Sequence, residues 1–161
     1  MSARQRNKGN AAEVNAAKEL CYYAGLTPWR KHIRTSRDLV GGNQQERAGD
    51  LIPVSEEAKN LLKPFSLIEV KADKSFSFDA LMRFGGVVPK TYCLAKWITK
   101  CRQADPQGVE LILLSLPRMP WWAVAPWDGS GATPTMRFRV GEAHYGIWRL
   151  DRLVERLLGV G

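Results

Sequence analysis

The sequence predicts a single mixed α/β domain, and two observations support this fold class. The chain has 161 residues, of which 45% are hydrophobic, and compact domains commonly contain roughly 100–150 residues. Segments with helical and strand-like spacing follow one another in the order α, β, β, β, α, β. Residues 118–161 form a C-terminal extension of that pattern, so the whole chain, 1–161, is expected to fold as one domain.

The first half of the chain begins with a polar arm over residues 1–9. A helix is predicted over residues 10–24, where Gly25 provides the usual stop. Alternating and apolar segments then predict strands at 26–33, 50–54 and 65–72, with a hydrophilic loop over 34–49 and a short helix over 56–62.

The second half begins with an irregular segment over residues 73–90. Apolar residues at helical spacing predict a helix over 92–104, which Pro106 and Gly108 end. Strands are predicted at 109–116 and 121–127, followed by a hairpin of 137–140 with 145–150. Asp151 is expected to cap a last helix.

Composition narrows the function classes. The 24 Lys and Arg against 16 Asp and Glu give a net charge of +8, which indicates an anionic partner, either nucleic acid or a membrane surface. No apolar run approaches the ~20 residues of a membrane-spanning helix, and no signal peptide is recognisable. Three cysteines without a Cys-x-x-Cys pair predict reduced thiols in a cytoplasmic protein. Isolated His32 and His144 lack zinc-ligand spacing.

Glu13 is an unusual residue in the first predicted helix. It lies in line with Ala16, Ala17 and Leu20, on the stripe expected to face the core. A carboxylate there is unfavourable unless it is paired or bound to a cation. A capping box with Asn10 as N-cap is the structural alternative, and the two roles can coexist.

Glu69 and Lys71 project side by side from a strand that is otherwise apolar, because side chains alternate along a strand. Asp50 stands at the start of the preceding strand. Two carboxylates and a lysine are the minimum set for metal-assisted phosphodiester hydrolysis, in which oxygen ligands hold Mg²⁺ or Mn²⁺. Lysine would steady an attacking water or the charge of the transition state.

The Glu-x-Lys triplet alone has little specificity, since about one acidic-x-Lys triplet is expected by chance. Glu57-Ala58-Lys59 is such a triplet, in a polar helical segment that we expect to be solvated. An ion pair on an exposed strand is the structural alternative for Glu69 and Lys71. The strand context and the upstream Asp50 favour the catalytic interpretation.

Three segments resemble those of a known group of enzymes. The segments 49–52, Gly-Asp-Leu-Ile, and 67–71, Leu-Ile-Glu-Val-Lys, resemble the PD-(D/E)xK nuclease signature, with Gly49 where that signature has proline. The segment 8–13, Lys-Gly-Asn-Ala-Ala-Glu, resembles the start of archaeal-type Holliday junction resolvases, which phages also encode. The loop 34–49 and the segment 55–64 are longer than is usual in that family.

This resemblance implies a restriction-endonuclease-like domain, with a central mixed β-sheet flanked by helices. It also implies a homodimeric, metal-dependent endonuclease that cuts paired strands at a four-way DNA junction. Asp50 and Glu69 would bind Mg²⁺ or Mn²⁺, and Lys71 would lie beside the attacking water. Glu13 would complete the site directly or through a water, and Ser36 would contact a phosphate.

Basic residues flank this predicted site in the sequence. Phosphate contacts by Lys and Arg provide most sequence-independent DNA affinity, although a run of charges is commonly a solvated surface. The candidate DNA-binding side chains, besides Ser36, are Arg4, Arg6, Lys8, Arg30, Lys31, Arg34 and Arg37. For Trp121 and Trp122, a role in the core or at an interface is preferred to stacking on a base. Phe76 and Phe78 are interpreted as part of a dimer contact.

Two alternatives to junction resolution remain. One is another PD-(D/E)xK nuclease, of restriction or repair type. The other is a non-catalytic basic DNA-binding protein, although binding alone does not need inward carboxylates that repel phosphate.

Overall fold

The computed structural model describes residues 3–39 and 49–160, with side chains described over 10–38 and 49–160. The α-helices are α1 (Ala3–Tyr23), α2 (Glu56–Leu61), α3 (Phe78–Arg83), α4 (Cys93–Ala104) and α5 (Leu150–Leu157). The strands are β1 (Ile33–Thr35), β2 (Leu51–Pro53), β3 (Leu67–Lys71), β4 (Glu110–Leu114), β5 (Trp122–Pro126), β6 (Met136–Val140) and β7 (Ala143–Arg149). Short 3-10 helices cover Trp29–Lys31 and Ser36–Leu39.

A five-stranded mixed sheet forms the centre of the fold, in the order β3-β4-β5-β7-β6. Strands β3 and β4 are parallel, with Leu67 opposite Glu110, and the other pairs are antiparallel. The mixed α/β class and the restriction-endonuclease-like sheet flanked by helices are therefore confirmed. The C-terminal extension supplies β5, β6 and β7, which are three of the five strands.

A separate antiparallel ladder of β1 and β2 lies beside the edge strand β3. The two parts are joined just before β2, where the backbone N–H of Asp50 donates to the carbonyl of Ile68 at 2.7 Å. This contact brings the start of β2 to the open edge of the main sheet.

The two faces of the sheet bury two hydrophobic clusters. On one face, Ile68 and Val70 of β3 pack with residues of α1, α2 and α5. On the other face, Leu67 packs with residues of α3 and α4. Because strand side chains alternate, Glu69 and Lys71 project from the same face as Leu67, toward α4.

The structure corrects the predicted N-terminus. Helix α1 begins at Ala3, so the described part of the predicted arm, from residue 3, is helical. Most residues there are good helix formers, and the single Gly9 is tolerated. Asn10 lies inside the helix and cannot be its N-cap, so the capping-box explanation of Glu13 is wrong.

Three other element predictions need correction. The strand predicted at 26–33 begins only at Ile33, after a cis Thr27–Pro28 peptide and a 3-10 turn, because proline has no N–H for a ladder. The segment predicted as irregular contains α3, whose first turn is capped by the Ser77 side chain accepting from the Ala80 N–H. Asp151 lies within the first turn of α5, where it pairs with Arg149.

The remaining predicted elements agree with the structure to within a few residues at their ends. Of the predicted 34–49 loop, residues 40–48 lie outside the described residues. Phe76 is buried in the core, so its assignment to a dimer contact is wrong. Trp122 is also a core residue, as predicted.

Gly49 has a conformation and surroundings that require glycine. Its φ is +103°, a region that residues with a Cβ rarely adopt. A Cβ at this position would lie 2.8 Å from the Ile68 carbonyl oxygen and 2.9 Å from the Ile68 nitrogen. The positive φ and the close approach of the backbone to β3 therefore require glycine at this position.

Gly49→Ala is expected to lower the free energy of unfolding by about 2–4 kcal/mol, because it combines an unfavourable φ with a backbone clash. Gly129→Ala is the matched control, since Gly129 has φ +93° but a Cβ added there would have no atom within 4 Å, and it should cost only about 1–2 kcal/mol. Urea denaturation measures both. Equal losses would contradict the steric account of Gly49.

Candidate active site

Asp50 is held on the edge of β3 by two hydrogen bonds to that strand. Its N–H donates to the Ile68 carbonyl at 2.7 Å, and its Oδ2 accepts from the Val70 N–H at 2.8 Å. The Asp50 carbonyl in turn accepts from the Ser36 N–H at 2.8 Å. These contacts fix the Asp50 carboxylate beside Glu69, in the way that a neighbouring strand would hold it.

Glu69 and Lys71 form an ion pair next to Asp50. The Lys71 Nζ lies 3.2 Å from Glu69 Oε1, and the two side chains are only 20% (Lys71) and 16% (Glu69) exposed. The ion pair of the structural alternative is therefore present, but it is partly buried and does not lie on an exposed strand. Partial burial strengthens the interaction between these charges, because water screens them less.

Glu13 approaches the same cluster from α1. Its side chain is 7% exposed, and Oε1 lies 3.2 Å from Arg37 Nη2. The other oxygen, Oε2, is buried without a hydrogen-bond partner. A buried, half-satisfied carboxylate is unfavourable, which is consistent with a position that serves binding or catalysis rather than stability.

The carboxylates repel one another across this site. Burial raises the pKa of Glu13 to about 7, the neighbouring Asp50 carboxylate adds to the rise, and Arg37 opposes it. Burial, followed by the Asp50 charge, also raises the pKa of Glu69, while Lys71 lowers it. Glu13, Asp50, Glu69 and Lys71, which lie far apart in the sequence, are thus close enough to interact.

The donor set fits a Mg²⁺-type cation. Asp50 and Glu69 offer oxygen ligands, and Mg²⁺ commonly takes one or two carboxylates together with waters and substrate phosphate oxygens. A cation would also relieve the repulsion from Asp50 that, after burial, raises the pKa of Glu69. Within residues 3–39 and 49–160, no three His, Cys, Asp or Glu side chains are grouped so that they could hold a metal ion together.

The predicted DNA-binding residues occupy different surroundings. Arg30, Lys31 and Arg34 are exposed around the turn and strand that follow α1, and Arg30 also stacks on Trp29. Ser36 and Arg37 lie next to Asp50 and Glu13 respectively. The backbone of Arg4, Arg6 and Lys8 belongs to α1, but their side chains lie outside the described residues.

The triplet Glu57-Ala58-Lys59 lies on α2, away from this cluster, as its polar context predicted. Glu57 and Lys59 are exposed, and Lys59 pairs with Glu56 at 3.2 Å. This triplet therefore provides a matched control for Glu69 and Lys71.

Sequence reasoning missed a lysine-rich groove beside α4. Three lysines line a groove of about 510 Å³: Lys96 and Lys100, which are four residues apart on α4, and Lys90. The groove extends to the β6–β7 turn. No carboxylate occurs among the described residues that line it. The i, i+4 spacing of the two lysines was visible in the sequence, because residues so spaced share a helix face.

Comparison with known protein families gives a match over most of the chain. A family model described as "Phage putative PDDEXK endonuclease" matches residues 4–128, a range that includes Glu13, Asp50, Glu69 and Lys71. No curated protein and no solved structure matches the chain. In the described residues, no helix has the length and apolar character needed to cross a membrane.

Glu13→Gln is expected to change how stability depends on pH. The folded-state pKa of Glu13 is raised from 4.5 to about 7, so its contribution to stability is full below pH 4.5 and declines as pH rises toward 7. Without metal, raising the pH from 4.5 to 8 should therefore increase the unfolding free energy of the variant, relative to that of wild type, by about 1–3 kcal/mol.

Urea denaturation in EDTA at the two pH values measures this difference. Glu142→Gln, which removes an exposed carboxylate, controls for the loss of one negative charge. A Glu13→Gln effect of equal size at both pH values would contradict the electrostatic account.

Proposed function

The chain belongs to the family of phage PDDEXK endonucleases whose model it matches, and on that premise we propose that it is a metal-dependent DNA endonuclease. The observation that carries the proposal is the attachment of Asp50 to β3. The Val70 N–H holds the Asp50 carboxylate beside the Glu69–Lys71 pair. Sequence-distant residues are thereby assembled into a carboxylate–lysine site.

Asp50 and Glu69 would hold the divalent cation, Mg²⁺ or Mn²⁺, which when bound activates water and stabilises charge on the phosphate. The backbone hydrogen bond to Oδ2 fixes the direction of the Asp50 carboxylate. Glu69 is oriented by Lys71. Such preorganisation lets the ligands act without reorientation during the reaction.

Lys71 has a separate role in this proposal. Its ammonium lies against Glu69, and a positive charge there can orient the attacking water and stabilise negative charge that develops on the phosphate. Glu13 can orient a water through the oxygen that has no protein partner, while Arg37 holds its other oxygen. Ser36, whose N–H donates to the Asp50 carbonyl, would contact a phosphate.

The distribution of positive charge supports DNA as the substrate. Arg30, Lys31 and Arg34 are exposed on the turn and strand between α1 and Ser36, and the lysine groove beside α4 lies on the sheet face toward which Glu69 projects. The net charge is +8. Cationic surfaces around an acidic cluster attract phosphates while the cluster binds the neutralising cation.

For the substrate, we propose a four-way DNA junction cut by a homodimer. The supporting feature is the segment 8–13, which resembles the start of archaeal-type Holliday junction resolvases. The segment ends in Glu13, which α1 brings to the site. Each chain contributes one Asp50–Glu69–Lys71 set, so paired cuts would require two copies. A restriction- or repair-type nuclease of the same family is the alternative substrate class.

Asp50→Asn is expected to lower DNA cleavage by at least about 10³-fold, because it removes a charged metal ligand. The asparagine oxygen can still accept from the Val70 N–H, so the fold and DNA binding should persist. Cleavage with Mg²⁺ or Mn²⁺ and anisotropy in Ca²⁺ measure the two effects. Glu57→Gln and Glu69→Gln form a matched pair, of which only Glu69→Gln should lose cleavage. Activity that survives Asp50→Asn would contradict the proposed site.

The proposed substrate is tested by measuring the cleavage of two kinds of DNA made from the same strands. One is a four-way junction whose arms are fixed, and the other is linear duplex. The proposal expects symmetric paired nicks in the junction and at least about 10-fold slower cutting of the duplexes, since binding energy specific to the branched shape is lost. Equal rates would refute junction selectivity while leaving a nuclease. Absence of cleavage with any divalent cation would refute the enzyme.

The lysine groove predicts a measurable change in salt dependence. Replacing Lys96 and Lys100 with alanine should reduce the slope of log affinity against log salt by about 2, as each phosphate contact contributes roughly 0.9. The control replaces Lys59 and Lys63, which are exposed on the opposite side of the sheet. An unchanged slope in the Lys96/Lys100 variant would contradict DNA contact by this groove.

A further inference from the structure

A pocket opens immediately beyond the catalytic ends of β3 and β4. The Ser115 N–H donates to the Lys71 carbonyl at 2.9 Å, so the chain segments that follow the two parallel strands leave the sheet together. They enclose a pocket of about 590 Å³, whose main lining residues are Lys74, Phe76, Phe78, Leu116, Pro117 and Met119.

The pocket lies on the same sheet face as the catalytic side chains. Phe76 and Phe78 pack in the cluster that contains Leu67, and Glu69 and Lys71 alternate with Leu67 toward that face. Lys74 follows Lys71 by three residues. A DNA strand whose phosphate reaches Glu69 and Lys71 would therefore place a neighbouring nucleotide at the pocket mouth.

The walls of the pocket are aromatic and firmly supported. The Phe78 ring contacts Trp122 edge-to-face, with centroids 4.7 Å apart, and lies 5.2 Å from Phe76. Met119, which also lines the pocket, is 43% exposed. An apolar slot of this kind accepts a flat ring, and base–aromatic stacking is the usual interaction of unpaired bases with proteins.

The rim carries groups that suit a nucleotide. Lys74 supplies a cation, and Ser77 and Asp79 supply polar atoms that can meet the hydrogen-bonding edge of a base. Arg118 lies between Pro117 and Met119 with φ +59°, in a turn closed by the Met119 N–H donating to the Leu116 carbonyl. Glycine usually occupies such a position, and this turn sets Pro117 and Met119 on the pocket wall.

We propose that this pocket binds one unstacked nucleobase of the strand being cut, adjacent to the phosphate at the metal site. The inference deepens the proposed function and rests on it. On this inference, substrate choice depends on an unpaired or unstacked nucleotide, as found at branch points and bulges. Phe78 and Met119 are the residues expected to contact the base, and Lys74 its flanking phosphate.

The test compares the affinity for two labelled DNA duplexes that differ only in a one-nucleotide bulge. Anisotropy in Ca²⁺ gives the ratio of the two dissociation constants without requiring cleavage. Wild type should prefer the bulged duplex at least 5-fold. Met119→Glu should bring that ratio close to 1, because a charge replaces the apolar wall, and Phe78→Leu, which keeps an apolar side chain, should lower it at least 3-fold.

Val109→Glu is the matched control. Val109 is 40% exposed just before β4, at the end of the strand opposite the pocket, and its replacement adds the same charge. The control should keep the wild-type ratio, and thermal unfolding should verify that all variants fold. A wild-type ratio near 1, or a ratio unaffected by both pocket variants, would overturn the inference. Failure of the proposed function has a different signature, which is absence of cleavage of either duplex in Mg²⁺ and Mn²⁺.

Discussion

The attachment of Asp50 to the edge of β3 is the constraint on which the site depends. The strand ladder β1–β2 is separate from the main sheet, and the Asp50 N–H and carboxylate form its hydrogen-bonded connection to Ile68 and Val70. Gly49 permits that approach because any Cβ would collide with the Ile68 backbone. The position of the carboxylate relative to Glu69 is thus set by backbone contacts, which are stiffer than contacts between long side chains.

Much of the fold could be predicted from the sequence, since apolar periodicity marks strands and helices that bury one face. Strand β3, helix α4 and the β6–β7 hairpin follow this pattern. Local signals were insufficient at α1, where the helix extends through a polar segment on the N-terminal side of Asn10, and at α3, which has six residues and too few turns for a periodic stripe. The pairing of strands into two sheets depends on distant contacts that no local pattern encodes.

The site was predictable in its residue types and less so in its connections. Glu13 was identifiable because a carboxylate on an apolar stripe is unfavourable, and Glu69 and Lys71 because charges alternate along an apolar strand. The Arg37–Glu13 ion pair was not foreseen, because it depends on how the turn after β1 meets α1. The lysine groove and the aromatic pocket were missed for the same reason, since each combines segments that only the folded sheet brings together.

The central claim, that Asp50 and Glu69 share one catalytic cation, is tested most directly by crystallography with Mn²⁺ and its anomalous scattering. We expect one anomalous peak within ligation distance of an oxygen of each carboxylate, and its loss in crystals of Asp50→Asn. A peak bound by neither residue, or a peak that persists undiminished in crystals of Asp50→Asn or Glu69→Gln, would contradict the shared-ion site.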